Sequence, residues 1–449
     1  MKGQLKLLFL PLISILLLLP LNTTAFYTPI KVASQHYIYN TRSKFIIKTI
    51  AKAKQSPPTS RIGSTKKMKQ KNIRWAIRGI AGELFYNMFL RHIARARKFL
   101  NTSTQQRLED TKTVRLPVKN EVALVTGATG GIGSQMAHEL AFRGYDVIIA
   151  ARNSERAKEL VLQIQQKLDK SIIVSTANKE VGRSEGSKLM PKISFIEYHA
   201  DIHQSALDLA SKLEALESTK PLTVLINNAG IMGASQSSTM KVNLLAPAML
   251  TFALLPLMMK KNNDNHDDET RRRSIKIINV SSSAHLRAAG VFEEDDLRMK
   301  SKSLMSIFSN SLDDNLSTYA KSKLALLQFS TLLRHKLPKD KDIHILDAHP
   351  GLVWTSLLRN HIGDSATNTL QTTGLAGLIY KSPSEGAQAI LACLDHSPIT
   401  NNDEQVYFVN GEPGGYASPE SRDLHQSELL LDRIIAPELR GIVKFPEGL

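Results

Sequence analysis

The stretch that decides the fold is EVALVTGATGGIGSQMAHELAFRGYDVIIAARN, Glu121 to Asn153. It opens with an unbroken run, Val122 to Thr126, that reads as a strand buried on both faces. A glycine turn follows. A helix then runs from about Ile132 to Arg143, and Gly144 supplies its C-terminal stop. A second strand, Asp146 to Ala151, completes a β-α-β unit.

The turn has a physical purpose at each glycine. Gly127 takes a tight backbone path that a Cβ would forbid. Gly131 and Gly133 let the chain approach a ligand and let helix and strand pack closely. The helix N-terminus then offers unpaired N–H groups to a phosphate. A glycine motif alone is a weak signal. Here it follows a strand, opens a helix and precedes a second strand, which is the context that gives it meaning.

The spacing in TGATGGIG is T-G-x-x-x-G-x-G, and in this the sequence resembles the short-chain dehydrogenase/reductase family. The resemblance implies that Gly127, Thr129, Gly131, Ile132 and Gly133 cradle a dinucleotide. The end of the second strand reports on which one. An NAD site places a carboxylate there for the ribose 2′-hydroxyl. None occurs between Asp146 and Glu155; Arg152 stands there instead and suits a 2′-phosphate. NADP(H) is therefore preferred, with NAD(H) second; the rival reading of Arg152 is an ordinary solvated arginine.

Strand–helix alternation continues, as a parallel sheet with covering helices requires. ISFIEYHADI reads as a third strand ending at Asp201, LTVLINNAG as a fourth, SIKIINVSSS as a fifth and DIHILDAHPG as a sixth. By the family resemblance, Asp201 and Ile202 flank the adenine, and Asn227, Ala229 and Gly230 line the ribose. HPGLVWT matches P-G-x-x-x-T, which places Pro350, Gly351 and Val353 along the cofactor and Thr355 at its carboxamide. Strand-end capping is the plainer role for Asn227 and Asn228. Two departures from the family pattern stand out. DKSIIVSTANKEVGRSEGSKLMPK looks inserted before the third strand, and only sixteen positions separate Asn227 from Asn243.

YAKSK puts Tyr319 and Lys323 four apart, on one face of a helix. Tyr319 is the candidate acid. A free phenol, with a pKa near 10, is a poor proton donor at neutral pH, and a cation one helical turn away would lower it. Lys323 is placed to be that cation and to reach ribose hydroxyls. Ser282, in INVSSSAH, is the candidate anchor for a carbonyl oxygen. The family takes the second serine after N-V, which selects Ser282 over Ser281 and Ser283. Asn243, in KVNLLAP, would by the same resemblance hold a water linking Lys323 to solvent. A tyrosine–lysine pair or a strand-end serine is common by itself. Their joint occurrence, after the glycine turn and before P-G-x-x-x-T, is what carries the catalytic reading.

Composition bounds the rest. The chain has 449 residues and a net charge of +17, which invites a nucleic-acid reading. The distribution argues against one. The first 82 residues carry 15 Lys/Arg and no acid, whereas the remaining 367 balance 43 Lys/Arg against 41 acids. The single cysteine, Cys393, forbids an internal disulfide and a thiolate metal cluster, and no other metal-ligand spacing stands out. The surplus charge belongs to the N-terminus. Residues 1–25 read as a signal peptide, with a signal anchor as the rival. Residues 26–72 are a basic, transit-like segment, and the two together resemble two-part plastid addresses. An ER membrane location is the alternative. Residues 73–113 read as an amphipathic helix, Asn72 to Leu100, and a linker. Residues 114–449 form the main domain.

The expected architecture is therefore α/β: one Rossmann-type doubly wound parallel sheet with helices on both faces, behind an N-terminal targeting extension. NVSSSAH, YAKSKLALLQFSTLLRHKL and HPGLVWTSLL look most like the retinol dehydrogenase branch, with the oxidoreductases related to protochlorophyllide reductase nearby. That implies a lipophilic alcohol or carbonyl, of retinoid, steroid or pigment type. Leu357 to Lys381, with Leu358, His361, Leu370 and Leu375, would form the substrate flap. The resemblance leaves room for a homodimer and for membrane association through the N-terminal segment. Two other classes are weighed: an inactive dinucleotide-binding scaffold, against which Ser282, Tyr319 and Lys323 argue, and a sugar-nucleotide epimerase, against which the glycine spacing argues.

Overall fold

The computed structural model describes residues 119–176, 190–216, 220–263, 273–288, 290–291, 315–338, 341–395, 406–415, 417–446 and 449. The signal segment, the basic segment and the helix read at Asn72 to Leu100 lie outside these residues.

The elements alternate as the sequence predicts. In chain order they are β1 (Val122–Thr126), α1 (Gly131–Phe142), β2 (Asp146–Ala151), α2 (Ser154–Thr176), β3 (Ile193–Glu197), α3 (His203–Ala215) and β4 (Leu222–Asn227). A long composite helix follows: α4 (Gln236–Met240), one π-helical turn (Lys241–Leu245) and α5 (Ala246–Asn263). Then come β5 (Ile275–Val280), α6 (Asn315–Lys336) and β6 (Ile343–His349). The last part holds α7 (Ser356–Ile362), α8 (Asp364–Thr372), α9 (Leu375–Ile379), α10 (Pro383–Asp395), β7 (Tyr407–Val409) and α11 (Leu424–Leu430). The strands form one sheet in the order β3-β2-β1-β4-β5-β6-β7, and every pairing is parallel. The order reverses between β1 and β4, the place where such sheets open a crevice at their carboxyl edge.

The period of two along each strand sorts the core into two layers. Ala123 and Val125 pack with Met136, Leu140, Ile164 and Ile390 of α1, α2 and α10. Val122 and Leu124 face the other way, towards Leu209, Phe252 and Phe329 of α3, α5 and α6. Phe252 and Phe329 meet edge to face at 5.7 Å. One described helix, Gln236–Lys260, has the length and mean hydropathy (1.9) of a membrane span. It is 72% buried inside the fold, which makes it the core helix of that layer.

Three differences from the sequence reading have local causes. The apparent insertion before β3 is in part helix: α2 runs on to Thr176 because its Ile164 and Leu168 keep the buried face going. The seventh strand is only three residues long, too short to carry a periodic signal. The π turn at Lys241–Leu245 adds a residue to the helical repeat and has no propensity signature.

Polar side chains cross the α5/α6 layer beneath the carboxyl edge. Asn227, Asn279 and Asp347 sit side by side on β4, β5 and β6, in register. The Asn227 amide donates to Asn279 Oδ1 at 2.8 Å, and Asn279 donates to Ser330 Oγ of α6 at 2.8 Å. Ser330 donates to Asp347 at 2.6 Å, and Arg334 of α6 donates to the other carboxylate oxygen at 2.9 Å. All but Arg334 are fully buried. Burial pushes the Asp347 carboxyl up, and Arg334 and Ser330 pull it part of the way back. The row ties α6 to three strands at once. Asp347→Ala would remove the carboxylate that balances the Arg334 charge, leaving Arg334 the Ile345 carbonyl and Thr331 hydroxyl, and Ser330 the Leu326 carbonyl, as neutral acceptors. A loss of about 3 kcal/mol in unfolding free energy, read from the urea midpoint, is expected.

Candidate active site

A cleft of about 840 Å³ opens along the carboxyl ends of the strands. The turn after β1 forms its floor. Gly127 (φ +64°) and Gly131 (φ +56°) both adopt the left-handed conformation that favours glycine. A Cβ on Gly133 would lie 2.5 Å from the Gly127 carbonyl oxygen, so only glycine fits. Thr126 locks the turn to β4: its hydroxyl accepts from the backbone N–H groups of Asn228 and Ala229, both at 3.0 Å. Asn228 answers by donating to the carbonyl of Thr126 at 2.9 Å. The Asn228 side chain thus has the capping role set out for it.

Most of the sequence-selected residues line this cleft. Gly127, Thr129, Gly131, Ile132 and Gly133 do so on the first turn, Arg152 after β2, Asp201 beyond β3, and Ala229 and Gly230 after β4. Ser282, Tyr319, Lys323, Pro350, Gly351, Val353 and Thr355 complete it. The side chain of Thr355 lies against the first turn, 3.6 Å from where a Gly131 Cβ would be.

Three selected residues are placed elsewhere. Asn227 is 3% exposed, points into the α5/α6 layer, and is absent from the cleft wall because it is committed to Asn279 and Thr251. Ile202 stands at the start of α3, 50% exposed and outside the cleft. Asn243 lies behind the wall, on the π turn. Its amide oxygen accepts from Ile231 N–H at 2.8 Å, and its NH₂ donates to the Ile231 carbonyl and to Ser322 Oγ, both at 2.9 Å. Asn243 therefore braces the loop after β4 against α6, one residue from Lys323. A Cβ on Gly230 would lie 3.3 Å from Asn243 Oδ1 and 3.5 Å from Lys323 Nζ.

At the heart of the cleft, the Ser282 hydroxyl stands beside the Tyr319 phenol, close enough to favour its ionised form. Ser282 Oγ also accepts from the Ala284 N–H at 3.2 Å, so it caps the 3₁₀ turn Ser283–Arg287 as well. Lys323 is 4% exposed and donates to the Val280 carbonyl at 2.8 Å. Its ammonium lies 5.8 Å from the Tyr319 ring centre. Burial pushes the phenol up to about 12, and the Ser282 hydroxyl offsets this only in part. Burial also brings the Lys323 ammonium down to about 8. The sequence reading, in which Lys323 chiefly lowers the phenol's pKa, thus meets a stronger opposing effect, because both groups lie out of water. The Tyr319 phenol holds its proton throughout the neutral range.

The wall also contains residues the sequence reading passed over. Arg156, four positions after Arg152, lines the same end of the cleft. A second basic residue at that spacing was a visible signal. Met232, Leu286, Leu316, Leu352, Leu357 and Leu358 make the wall around Ser282 and Tyr319 apolar. Leu370 lies outside the wall. The side chains of His361 and Leu375 are not among those described.

Fold and cleft together define a Rossmann-type α/β protein with a serine–tyrosine–lysine centre at the carboxyl edge of its sheet. Residues 121–190 match the family model described as short chain dehydrogenase. Dehydrogenase/reductase SDR family member FEY of Arabidopsis thaliana is 32% identical over 257 residues, covering 55% of this chain and 58% of that protein. Polyprenol dehydrogenase of Mus musculus is 29% identical over 283 residues, 61% of this chain and 71% of the relative. Retinol dehydrogenase 13 of Mus musculus is 28% identical over 280 residues, with 60% and 70% covered. The match thus spans between 58% and 71% of the length of these relatives. Over these stretches the chain is similar to members of the short-chain dehydrogenase/reductase family, its retinol dehydrogenase branch included.

Proposed function

We propose that the protein is an NADP(H)-dependent oxidoreductase that interconverts an alcohol and a carbonyl on a lipophilic small molecule. The observation that carries this reading is the convergence of Ser282, Tyr319 and Lys323 at one end of a cleft whose other end is a glycine turn flanked by arginines. The residues fit a dinucleotide. The first turn of α1 presents its N–H groups where glycine alone is tolerated, and Arg152 and Arg156 stand where a 2′-phosphate would lie. Bound there, the nicotinamide supplies the hydride.

The chain supplies position, charge and the proton. The Ser282 hydroxyl donates to the carbonyl oxygen and stabilises the negative charge that develops on it. Tyr319, protonated at neutral pH, passes its phenolic proton to the same oxygen, giving the alcohol; the reverse sequence serves oxidation. Lys323 holds a positive charge behind the phenol and favours the phenolate that proton transfer leaves. Met232, Leu286, Leu316 and Leu358 keep water away from the reacting carbon and favour an apolar substrate. Polyprenol dehydrogenase and retinol dehydrogenase 13, both named for lipophilic alcohols, support that substrate class.

The test is turnover of NADPH with lipophilic aldehydes such as decanal and retinal, and of NADP with the matching alcohols. Tyr319→Phe is expected to lower kcat by about 10²–10⁴-fold while NADPH still quenches the protein's intrinsic fluorescence. Unchanged turnover would remove Tyr319 from its role. Lys323 is charged below about pH 8 and neutral above it, so kcat should decline as pH rises through about 8. A profile flat up to pH 10 would contradict the role of its charge. Arg152→Ala is expected to weaken NADPH binding about 10-fold or more and to leave NADH binding unchanged. Equal loss for both cofactors would show that Arg152 does not read the 2′-phosphate.

A further inference from the structure

His285 lies two residues past the three serines that follow β5 and is completely buried, yet none of the roles above uses it. Its Nδ1 lies 2.7 Å from the Ser282 carbonyl oxygen, and its Nε2 accepts from the backbone N–H of Ser418 at 3.2 Å. A carbonyl only accepts and a backbone N–H only donates. The two bonds together therefore require a neutral imidazole with its proton on Nδ1. The ring is wedged edge to face against Tyr407 of β7 at 5.5 Å.

Ser418 begins a short segment that returns to α6. Ser421 donates to the Ser418 carbonyl at 2.6 Å, Gln328 of α6 donates to the Glu420 carbonyl at 3.0 Å, and Thr331 of α6 donates to the Ser421 carbonyl at 2.8 Å. His285, Gln328, Thr331, Ser418 and Ser421 are all buried. The hydrogen bonds form a closed circuit. It runs from the Ser282 main chain through His285 to residues 418–421, into α6, and along α6 to Tyr319. The Ser282 and Tyr319 side chains, which face each other in the cleft, are its last side.

We propose that His285 is a positioning residue that, through the Ser418–Arg422 segment, fixes the separation of Ser282 and Tyr319. The proposal rests on the reading of those two as the reacting pair. β5 and α6 approach the cleft from different directions; Lys323 ties α6 to the Val280 carbonyl at the end of β5, and the stretch that carries Ser282 beyond it needs a second tie. The strap supplies it, through bonds shielded from water. Two hydroxyls that must address one carbonyl oxygen tolerate little displacement, since misplacement by about 1 Å can cost on the order of 10²-fold in rate.

Two cuts of the strap test this on the full-length protein, with NADPH and decanal. His285→Asn keeps an amide where Nδ1 was and loses the acceptor for Ser418. Gln328→Met removes the donor to Glu420 with little change in shape. Each is expected to lower kcat by about 10-fold or more, with the KM for NADPH within about twofold of the original. The double variant should lose less than the product of the two single losses, because both cuts loosen the same circuit, which Thr331 still ties to the Ser421 carbonyl. Unchanged kcat in both, or losses that multiply in the double variant, would overturn the strap. A second measurement does not depend on turnover. In ¹⁵N-histidine-labelled protein the His285 signals, assigned by their disappearance in His285→Asn, should show a protonated Nδ1 and a bare Nε2 at pH 7.5. The opposite tautomer or an imidazolium would overturn the strap whether or not the protein turns over decanal. The expected tautomer in a protein that reduces no aldehyde would sink the catalytic reading and leave the strap standing.

Discussion

Everything at the carboxyl edge depends on how α6 is held to the sheet. That helix brings Tyr319 and Lys323 to the cleft, and a hydrophobic face alone would let it slide by a fraction of a turn. The row Asn227–Asn279–Asp347 prevents this. It places hydrogen-bonding groups on three adjacent strands at one height and engages Ser330 and Arg334 on the helix. Hydrogen bonds are directional where hydrophobic contact is not, so they set a register. Leaving any of these buried groups unpaired is costly, which makes the register stiff.

Above that row, the site is built from groups that burial has altered. The phenol is harder to ionise and the ammonium easier to neutralise than in water. The two effects have the same origin and suit one division of labour. The phenol keeps its proton through the neutral range, and an ammonium near its midpoint at mildly alkaline pH can exchange its own. The Val280 carbonyl, at the end of β5, keeps Lys323 aimed under the cleft. Asn243 and Ser322 brace the helix from the other side through the π turn.

Much of this was legible in the chain. The first β-α-β unit was read to within a residue, because strand, glycine turn and helix each carry a local signal and the three agree. Ser282, Tyr319 and Lys323 were readable as members of one ordered motif set. Asn227 was misplaced for a physical reason. On a strand buried on both faces, a polar residue can face the cleft or the core, and sequence alone does not distinguish them. Asn243 was placed beside the cleft, but the π turn that turns it towards Ile231 and Ser322 has no signature. His285 reads in sequence as one more polar residue in a serine-rich turn; only its two partners, 3 and 133 residues away, give it meaning.

The sequence by itself determined the sheet, its parallel sense, the glycine turn and which side chains are candidates for the chemistry. These follow from periodicity, from the conformational freedom of glycine and from chemistry carried on single residues. The tertiary structure decided which polar groups face the cleft and which brace the core, how far burial shifts Tyr319 and Lys323, and how Ser282 is tied to α6. Those properties belong to pairs of groups distant in the chain, and their energies depend on the exclusion of water, which exists only once the layers have packed.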